Sequence, residues 1–386
     1  MNDLIVSDFL RSGFVFSADT ANLWVGWGIP RRSNSPDSLG EFWIYAPDFF
    51  LKDPKPWWCF PHLKKVSVSD FLGFLAETPS VSDSWLKWSP PNRSEFEKRF
   101  EDIQNRIRSG ELRKAVPVVI ETAEGSLHPE VRGVLLKNLI QACTGFPLTV
   151  YAFWNNTEGI LGASPETLFE QRQSGRLDSM ALAGTRKKDL ISLMGSLLDD
   201  PKEKAEHQIV VEGIRESLVL LAKELGTSPE GILTGILREQ ILPSLVHLMT
   251  PICWESPLFL LEYSKTIFET LVRSLHPTPA LGAYPRETGL KWLEGQANNA
   301  LRGRFGAPFG IVTETGENHC IVGIRNIQWN SHQVTLCAGC GIVGASQLER
   351  EWKELQAKIQ SVKQLFGIAQ ASREPQDLRR HPKENL

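Results

Sequence analysis

Residues 1 to about 95 carry short runs such as ANLWVGWGIP and EFWIYAP, in which apolar positions alternate with others between turn residues. That pattern predicts a β-rich segment. From Ser94 the period changes. In SEFEKRFEDIQNRIR, Phe96, Phe100, Ile103 and Ile107 recur at helical spacing behind a serine cap with Glu97 three residues on, so a helix opens the main body of the chain. Beyond it, AVPVVIETA, LTVYAFWNN, HCIVGIRNIQWN and VTLCAGCGIV predict strands, whereas 201–225, 229–249, 256–275 and 347–367 show helical periodicity. Helices and strands are mixed without regular βαβ alternation. Nothing repeats at a fixed period, and residues 369–386, ending ASREPQDLRRHPKENL, read as a disordered tail.

Composition narrows the function classes. The chain has 386 residues, enough for two domains or for one large two-sheet fold. Its 42 basic and 45 acidic residues give a net charge of −3 with no long run of one sign, which argues against a nucleic-acid partner. The N-terminus MNDLIVSDFLRSG lacks a basic segment followed by an apolar core, and no later stretch stays apolar long enough to span a bilayer. The expected location is the cytoplasm, away from the membrane. Six cysteines in such a chain do not make a disulfide framework, so reduced thiols are expected.

Two predicted helices carry candidate chemistry. In DDPKEKAEHQIVVEGI, Glu203, Glu206 and His207 stand at i, i+3 and i+4, on one face bordering the apolar Ile209, Val210 and Ile214. In SQLEREWKELQAKIQ, Glu351, Glu354 and Lys358 again share one side. Together the helices could bring paired carboxylates to one point. A few hard oxygen donors, with room left for water and a substrate oxyanion, suit Mg²⁺ better than zinc. A solvated Glu/Lys face is the commoner alternative for either helix alone.

Three glycine- or proline-marked segments are candidate anion sites. ALAGTRKK (181–188) follows a predicted strand and offers amides, a hydroxyl and cations in a short turn. CAGCGIVGAS (337–346) puts Gly339 and Gly341 between a strand and a helix, where bare amides and the positive helix end favour an anion. HPTPALGAYPRE (276–287) is a proline-fixed loop with the imidazole of His276 at its entrance. A plain turn is the alternative for the first two, and a lone histidine such as His276 is more often structural. Cys337 and Cys340 form a C-x-x-C, but no second pair accompanies it to make a zinc or redox site.

Read in order, RKAVPVV, LGASPETLFE, ALAGTRKK, DPKEKAEHQIVVEGI, LVHLMT, SLHPTPALGAYPRE, RGRFGAPFG, CIVGIR, CAGCGIVGAS and EREWKELQAK resemble the chorismate-binding enzymes over about Ser94 to Phe366. That family comprises isochorismate synthases, salicylate synthases, and the large subunits of anthranilate and aminodeoxychorismate synthases. The resemblance implies an α+β fold: a single large domain of two packed β-sheets surrounded by helices, with the site between them. Residues 1–93 would be a β-rich N-terminal part of that domain and 94–368 the catalytic core.

The resemblance also implies roles. Glu206 and Glu354 would hold Mg²⁺, with Glu203 and Glu351 beside them, and the metal would hold the ring carboxylate of chorismate. A dianionic substrate can sit beside four acids only if a divalent cation screens them. Arg325, Lys358 and the backbone at Gly339, Cys340 and Gly341 would take the rest of the anion, together with Ala183, Gly184, Thr185 and His276. Lys114 matches the lysine of isochorismate and salicylate synthases, where the aminating branches have glutamine. It would activate water, which glutamine cannot do. Glu166 of SPET would be the matching general acid for the leaving C4 hydroxyl. Ala183 stands where aminodeoxychorismate synthases usually carry a nucleophilic lysine.

These features favour the isochorismate synthase branch, with chorismate as the small-molecule partner and no obligate amidotransferase. A salicylate synthase, a glutamine-dependent component I and a catalytically impaired chorismate-binding protein remain as alternatives. The sequence departs from the family where Pro117 interrupts the strand after Lys114, where Val119 replaces an arginine, and where Asn298 replaces a glutamate four residues before Arg302. Whether isochorismate would feed menaquinone or siderophore synthesis stays open.

Overall fold

Alternating side chains build the molecule from the inside outward, because successive residues of a strand face opposite sides. Phe14 and Phe16 point one way from their strand while Val15 points the other, and Tyr151 and Phe153 alternate likewise with Val150, Ala152 and Trp154. The same holds for Phe309 and Ile311 against Val312. The first set of each strand meets in an aromatic layer between two large antiparallel sheets, and the second set faces helices. In the computed structural model, the described residues are 5–36, 41–76, 78, 86–171, 175–256, 259, 264–297 and 299–368. The predicted tail 369–386 and the departure at Asn298 lie outside them.

Among the described residues one sheet has nine strands, running from His62–Ser67 at one edge through Asn22–Trp27, Gly13–Ser17, Thr149–Trp154, Gly159–Ser164, Asn326–Trp329 and Gln333–Gly339 to Val118–Glu124 and Trp88–Ser89. The other has ten. Its path runs from Ile232–Thr234 through Leu245–Glu255, Arg176–Lys187, Thr167–Gln171, Asn318–Val322 and Pro308–Val312 to Trp43–Tyr45 and its neighbours. Helices Arg93–Arg108, Pro129–Cys143 and Leu348–Phe366 cover the nine-stranded sheet, and Pro201–Glu224 and Ser264–Leu275 cover the other. The fold is thus a single α+β domain of two packed sheets wrapped in helices. The N-terminal segment supplies strands to both sheets: Gly13–Ser17 pairs with Thr149–Trp154, and Trp43–Tyr45 with Pro308–Val312.

Two of the connections that carry the chain from one sheet to the other run side by side. After Gly159–Ser164 the chain passes through Glu166 into Thr167–Gln171, and after Asn318–Val322 it returns through Arg325 into Asn326–Trp329. Backbone bonds tie the two together, from Val322 N to Glu166 O at 3.0 Å and from Ala163 N to Arg325 O at 3.2 Å.

Several sequence expectations need correction. The stretch 229–249 is strand rather than helix, forming Ile232–Thr234, Arg238–Ile241 and the start of Leu245–Glu255. Leu245 to Thr250 are buried without interruption, and a strand covered on both faces offers enough apolar positions to imitate a helical period. Within 256–275, the described helix is Ser264–Leu275. ALAGTRKK is no turn but the end of the long strand Arg176–Lys187, broken only by a register shift between Ala183 and Thr185. Pro117, which has no N–H to give to a ladder, separates the short strand Lys114–Ala115 from Val118–Glu124. Among the described residues no helix is long and apolar enough to cross a membrane, and no two of the cysteines are joined in a disulfide.

Candidate active site

The acidic helix starts where the sequence supplies a cap. Asp200 accepts hydrogen bonds from the N–H groups of Lys202 and Glu203 at 3.0 and 3.3 Å, and Pro201 occupies the first turn, where no N–H is needed. Asp200 also binds Arg186 at 2.8 Å and Arg350 at 2.7 Å, which fixes this helix against the strand Arg176–Lys187 and the start of the helix Leu348–Phe366. Both acid-bearing helices therefore point into one volume. Glu203, Glu206 and Glu351 are 2%, 5% and 0% exposed, which rules out a solvated face.

Their common partner is a cation that the sequence reading did not single out. Lys202 Nζ lies 3.0 Å from Glu206 Oε2, 3.3 Å from Glu203 Oε1 and 3.1 Å from Glu351 Oε1. A second lysine, Lys114, places its Nζ 3.0 Å from Glu206 Oε1. Glu354 pairs instead with Lys358 at 2.7 Å, and Lys358 also donates to Gly339 O at 2.7 Å.

These contacts divide the acids electrostatically. Burial pushes the Glu203 and Glu351 carboxyls up to about 7, helped by Glu206 and Glu354 respectively. Burial acts on Glu206 too, but Lys114 and Lys202 overcome it and hold that carboxylate down at about 2. Although burial disfavours its charge, the surrounding acids keep Lys202 an ammonium, above the ordinary lysine value.

In chemistry this cluster suits a hard divalent cation, since it offers only carboxylate oxygens and three of them already gather around one positive charge. In arrangement it is closed on Lys202. Among the described residues, no three His, Cys, Asp or Glu side chains stand together as a ready metal site.

Next to the cluster, both sheets line one cavity. Lys114, Glu166, Glu206, Arg325 and Lys358 supply its charged groups, with Ala183, Gly184, Thr185, Gly339 and Gly341 as backbone and small side chains. Leu182, Ala280, Leu281, Phe305 and Ile324 form the apolar part. Gly341 is required by close approach, because a Cβ there would sit 2.0 Å from Glu206 Oε1 and 2.5 Å from Lys114 Cε. It is not at a helix end, however. The next helix starts at Leu348, and residue 342 instead bridges back to Ala115.

Glu166 is 2% exposed, and burial raises its carboxyl to about 8 against the opposing pull of Lys114 and Arg325. Its Oε1 is buried without a hydrogen-bond partner among the described residues. A carboxyl that keeps its proton at neutral pH and has a free oxygen can act as a general acid.

His247 lines the cavity but was not singled out from the sequence, although the imidazole in the otherwise apolar LVHLMT was its signal. Arg325 can only donate and a carbonyl can only accept, so the ring's protonation follows from its neighbours. Nε2 accepts from Arg325 at 3.1 Å, and the Nδ1 proton goes to Gly184 O at 3.1 Å, beside Thr185 Oγ1 at 3.1 Å. Burial and the adjacent Arg325 hold the ring well below the usual imidazole range, hence neutral.

Other expected residues are placed differently. His276 lies outside the cavity, with Nε2 bonded to Phe49 O at 2.7 Å and its ring edge-on to Phe49, and burial lowers it to about 3. Cys340 does not line the cavity and packs in the core beside the nine-stranded sheet. The Thr185 N–H is already given to Glu203 Oε2 at 3.2 Å. Glu203, Glu351 and Glu354 stand outside the lining, of which Glu206 is the only acidic helix residue.

This two-sheet α+β fold is shared with solved isochorismate synthases. A putative 2,3-dihydroxybenzoate-specific isochorismate synthase from Bacillus anthracis superposes with a TM-score of 0.73 over 96% of this chain and 100% of its own, at 20% identity. The family model described as chorismate binding enzyme matches residues 73–367, and the chain belongs to that family.

Relatives include isochorismate synthase MenF of Bacillus subtilis, 30% identical over 90% of this chain, and a salicylate biosynthesis isochorismate synthase of Pseudomonas aeruginosa, 29% identical over 72%. The chain spans 66% and 56% of their respective lengths.

Proposed function

We propose that the protein is an isochorismate synthase, converting chorismate to isochorismate by attack of water at C2 with loss of the C4 hydroxyl. The observation that carries this reading is the pairing, in one cavity, of the protonated Glu166 carboxyl with the Lys114 amine. In its neutral form Lys114 takes a proton from water, the water oxygen bonds to C2, both ring double bonds shift by one position along C1, C6 and C5, the C4–O bond breaks, and Glu166 gives its proton to the departing C4 oxygen. Water enters and water leaves, so atoms balance without a redox partner.

Arg325, aimed by His247, and Lys358 hold the substrate's carboxylates, and the apolar residues Leu281, Phe305 and Ile324 lie against its ring. Mg²⁺ would be held by Glu206 and Glu354, with Glu203 and Glu351 beside them, and supplies the positive charge that a carboxylate substrate needs next to these acids. The B. subtilis and P. aeruginosa relatives, both isochorismate synthases by name, support this branch. No amidotransferase is required, since water is the nucleophile.

The test is an end-point assay with chorismate and Mg²⁺ that resolves isochorismate from salicylate plus pyruvate and from aminated products. Isochorismate alone supports the proposal. Salicylate would make the protein a salicylate synthase, and ammonia-dependent aminated product would overturn water as nucleophile.

A further inference from the structure

Arg325 is one of two described non-glycine residues with positive φ, at 56°, a conformation that a side chain bearing a Cβ adopts only when its surroundings enforce it. The enforcing contacts lie beneath it. Tyr151, fully buried on the strand Thr149–Trp154, donates its hydroxyl hydrogen to Ile324 O at 2.9 Å. Asn326, also fully buried, uses one side-chain amide to donate to Tyr151 Oη and to Gly323 O, each at 2.7 Å. The carbonyls of the two residues before Arg325 are thus both held by side chains, one from each flank of the turn.

Gly162 opens the space for this arrangement. A Cβ there would lie 2.7 Å from Asn326 Cβ and 2.8 Å from Tyr151 Oη. Burial also keeps the Tyr151 phenol protonated far into the alkaline range, so its donor is permanent. Above the turn, the Arg325 guanidinium reaches the cavity and bonds His247.

We infer that Tyr151 and Asn326, seated in the Gly162 gap, are positioning residues that hold the Arg325 backbone in its left-handed conformation and so aim its guanidinium at the substrate's carboxylate. Neither touches the cavity, and both act through Arg325. The inference rests on the proposed function for the identity of the anion, but not for the geometry.

The experiment compares Tyr151→Phe and Gly162→Ala with the wild type, each also in an Arg325→Ala background. The readouts are chorismate binding by calorimetry, steady-state kinetics with Mg²⁺, and the thermal midpoint. Tyr151→Phe should weaken chorismate binding and raise KM by about tenfold, with kcat changed less than about threefold, and should add nothing once Arg325 is alanine. Gly162→Ala should reproduce this split, since it displaces the same two side chains without removing a hydrogen bond donor. Equal losses in both backgrounds, or a fall in kcat with KM unchanged, would overturn the inference in favour of a general packing role.

If the wild type does not bind chorismate, the proposed function fails. A crystal structure of Tyr151→Phe then decides the inference alone: Arg325 leaving positive φ and releasing His247 supports it, and an unmoved Arg325 overturns it.

Discussion

Lys114 and Glu206 form a buried ion pair, Nζ to Oε1 at 3.0 Å, while the other oxygen of the same carboxylate lies 3.0 Å from Lys202 Nζ. One carboxylate therefore joins the residue proposed as base to the cluster proposed for metal. Any change on one side of Glu206 is felt on the other.

Lys114→Ala removes the base and leaves the anion-binding side chains Arg325 and Lys358 in place. Isochorismate formation should fall by on the order of 10²-fold or more, while chorismate still binds in the presence of Mg²⁺. Rates near wild type, measured by product chromatography, would remove the reason for preferring water as nucleophile.

Glu166 gives a pH dependence with a definite sign. Its proton is needed for the leaving hydroxyl, so kcat/KM should decline as pH rises through about 8, and Glu166→Gln should be slower and lack that limb. Stability follows the same group. The folded carboxyl holds its proton to about 8 and the unfolded one only to about 4.5, so stability present below pH 4.5 is lost as pH rises towards 8. The loss is on the order of 4 kcal/mol by linkage, and chemical denaturation of the wild type and Glu166→Gln at pH 5 and pH 8 measures it. An equal change with pH in both proteins would contradict the assignment.

Gly341→Ala tests the close approach at the ion pair. The new Cβ overlaps Glu206 Oε1 and Lys114 Cε, so the pair must part or the backbone must shift, at a cost of about 1–3 kcal/mol. The expected outcome is a lowered thermal midpoint and activity reduced by on the order of 10²-fold. Unchanged activity would show that the pair has no fixed place in the reaction.

Metal dependence is expected to be complete. EDTA should abolish turnover, as should Glu206→Gln or Glu354→Gln, and undiminished turnover in EDTA would refute it. Lys202→Met gives a readout without substrate. It leaves buried carboxylates without their shared ammonium, so the metal-free protein should lose about 3 kcal/mol or more, and Mg²⁺ should raise its melting temperature further than that of the wild type. Identical melting curves with and without Mg²⁺ in both proteins would exclude a cation site at this cluster.

The sequence by itself determined the elements whose signal is local. Phe96, Phe100 and Ile103 fix the buried stripe of the helix Arg93–Arg108, and the expected helices 201–225 and 347–367 lie within a residue of Pro201–Glu224 and Leu348–Phe366. Spacing along a helix is a property of the backbone, so it also put Glu203 with Glu206 and Glu351 with Glu354. The order of motifs carried the family.

Tertiary structure decided what those residues meet. Only the packing of the two helices shows that their acids close on Lys202, and the stretch 229–249 reads as helical until its residues are seen to pair as strands. Glu166 and Arg325 share a cavity because two crossovers between the sheets run side by side, whereas His276 is drawn away to Phe49. Such meetings depend on strand register between distant segments, set by the burial of whole sheet faces, and no local pattern of residues encodes them.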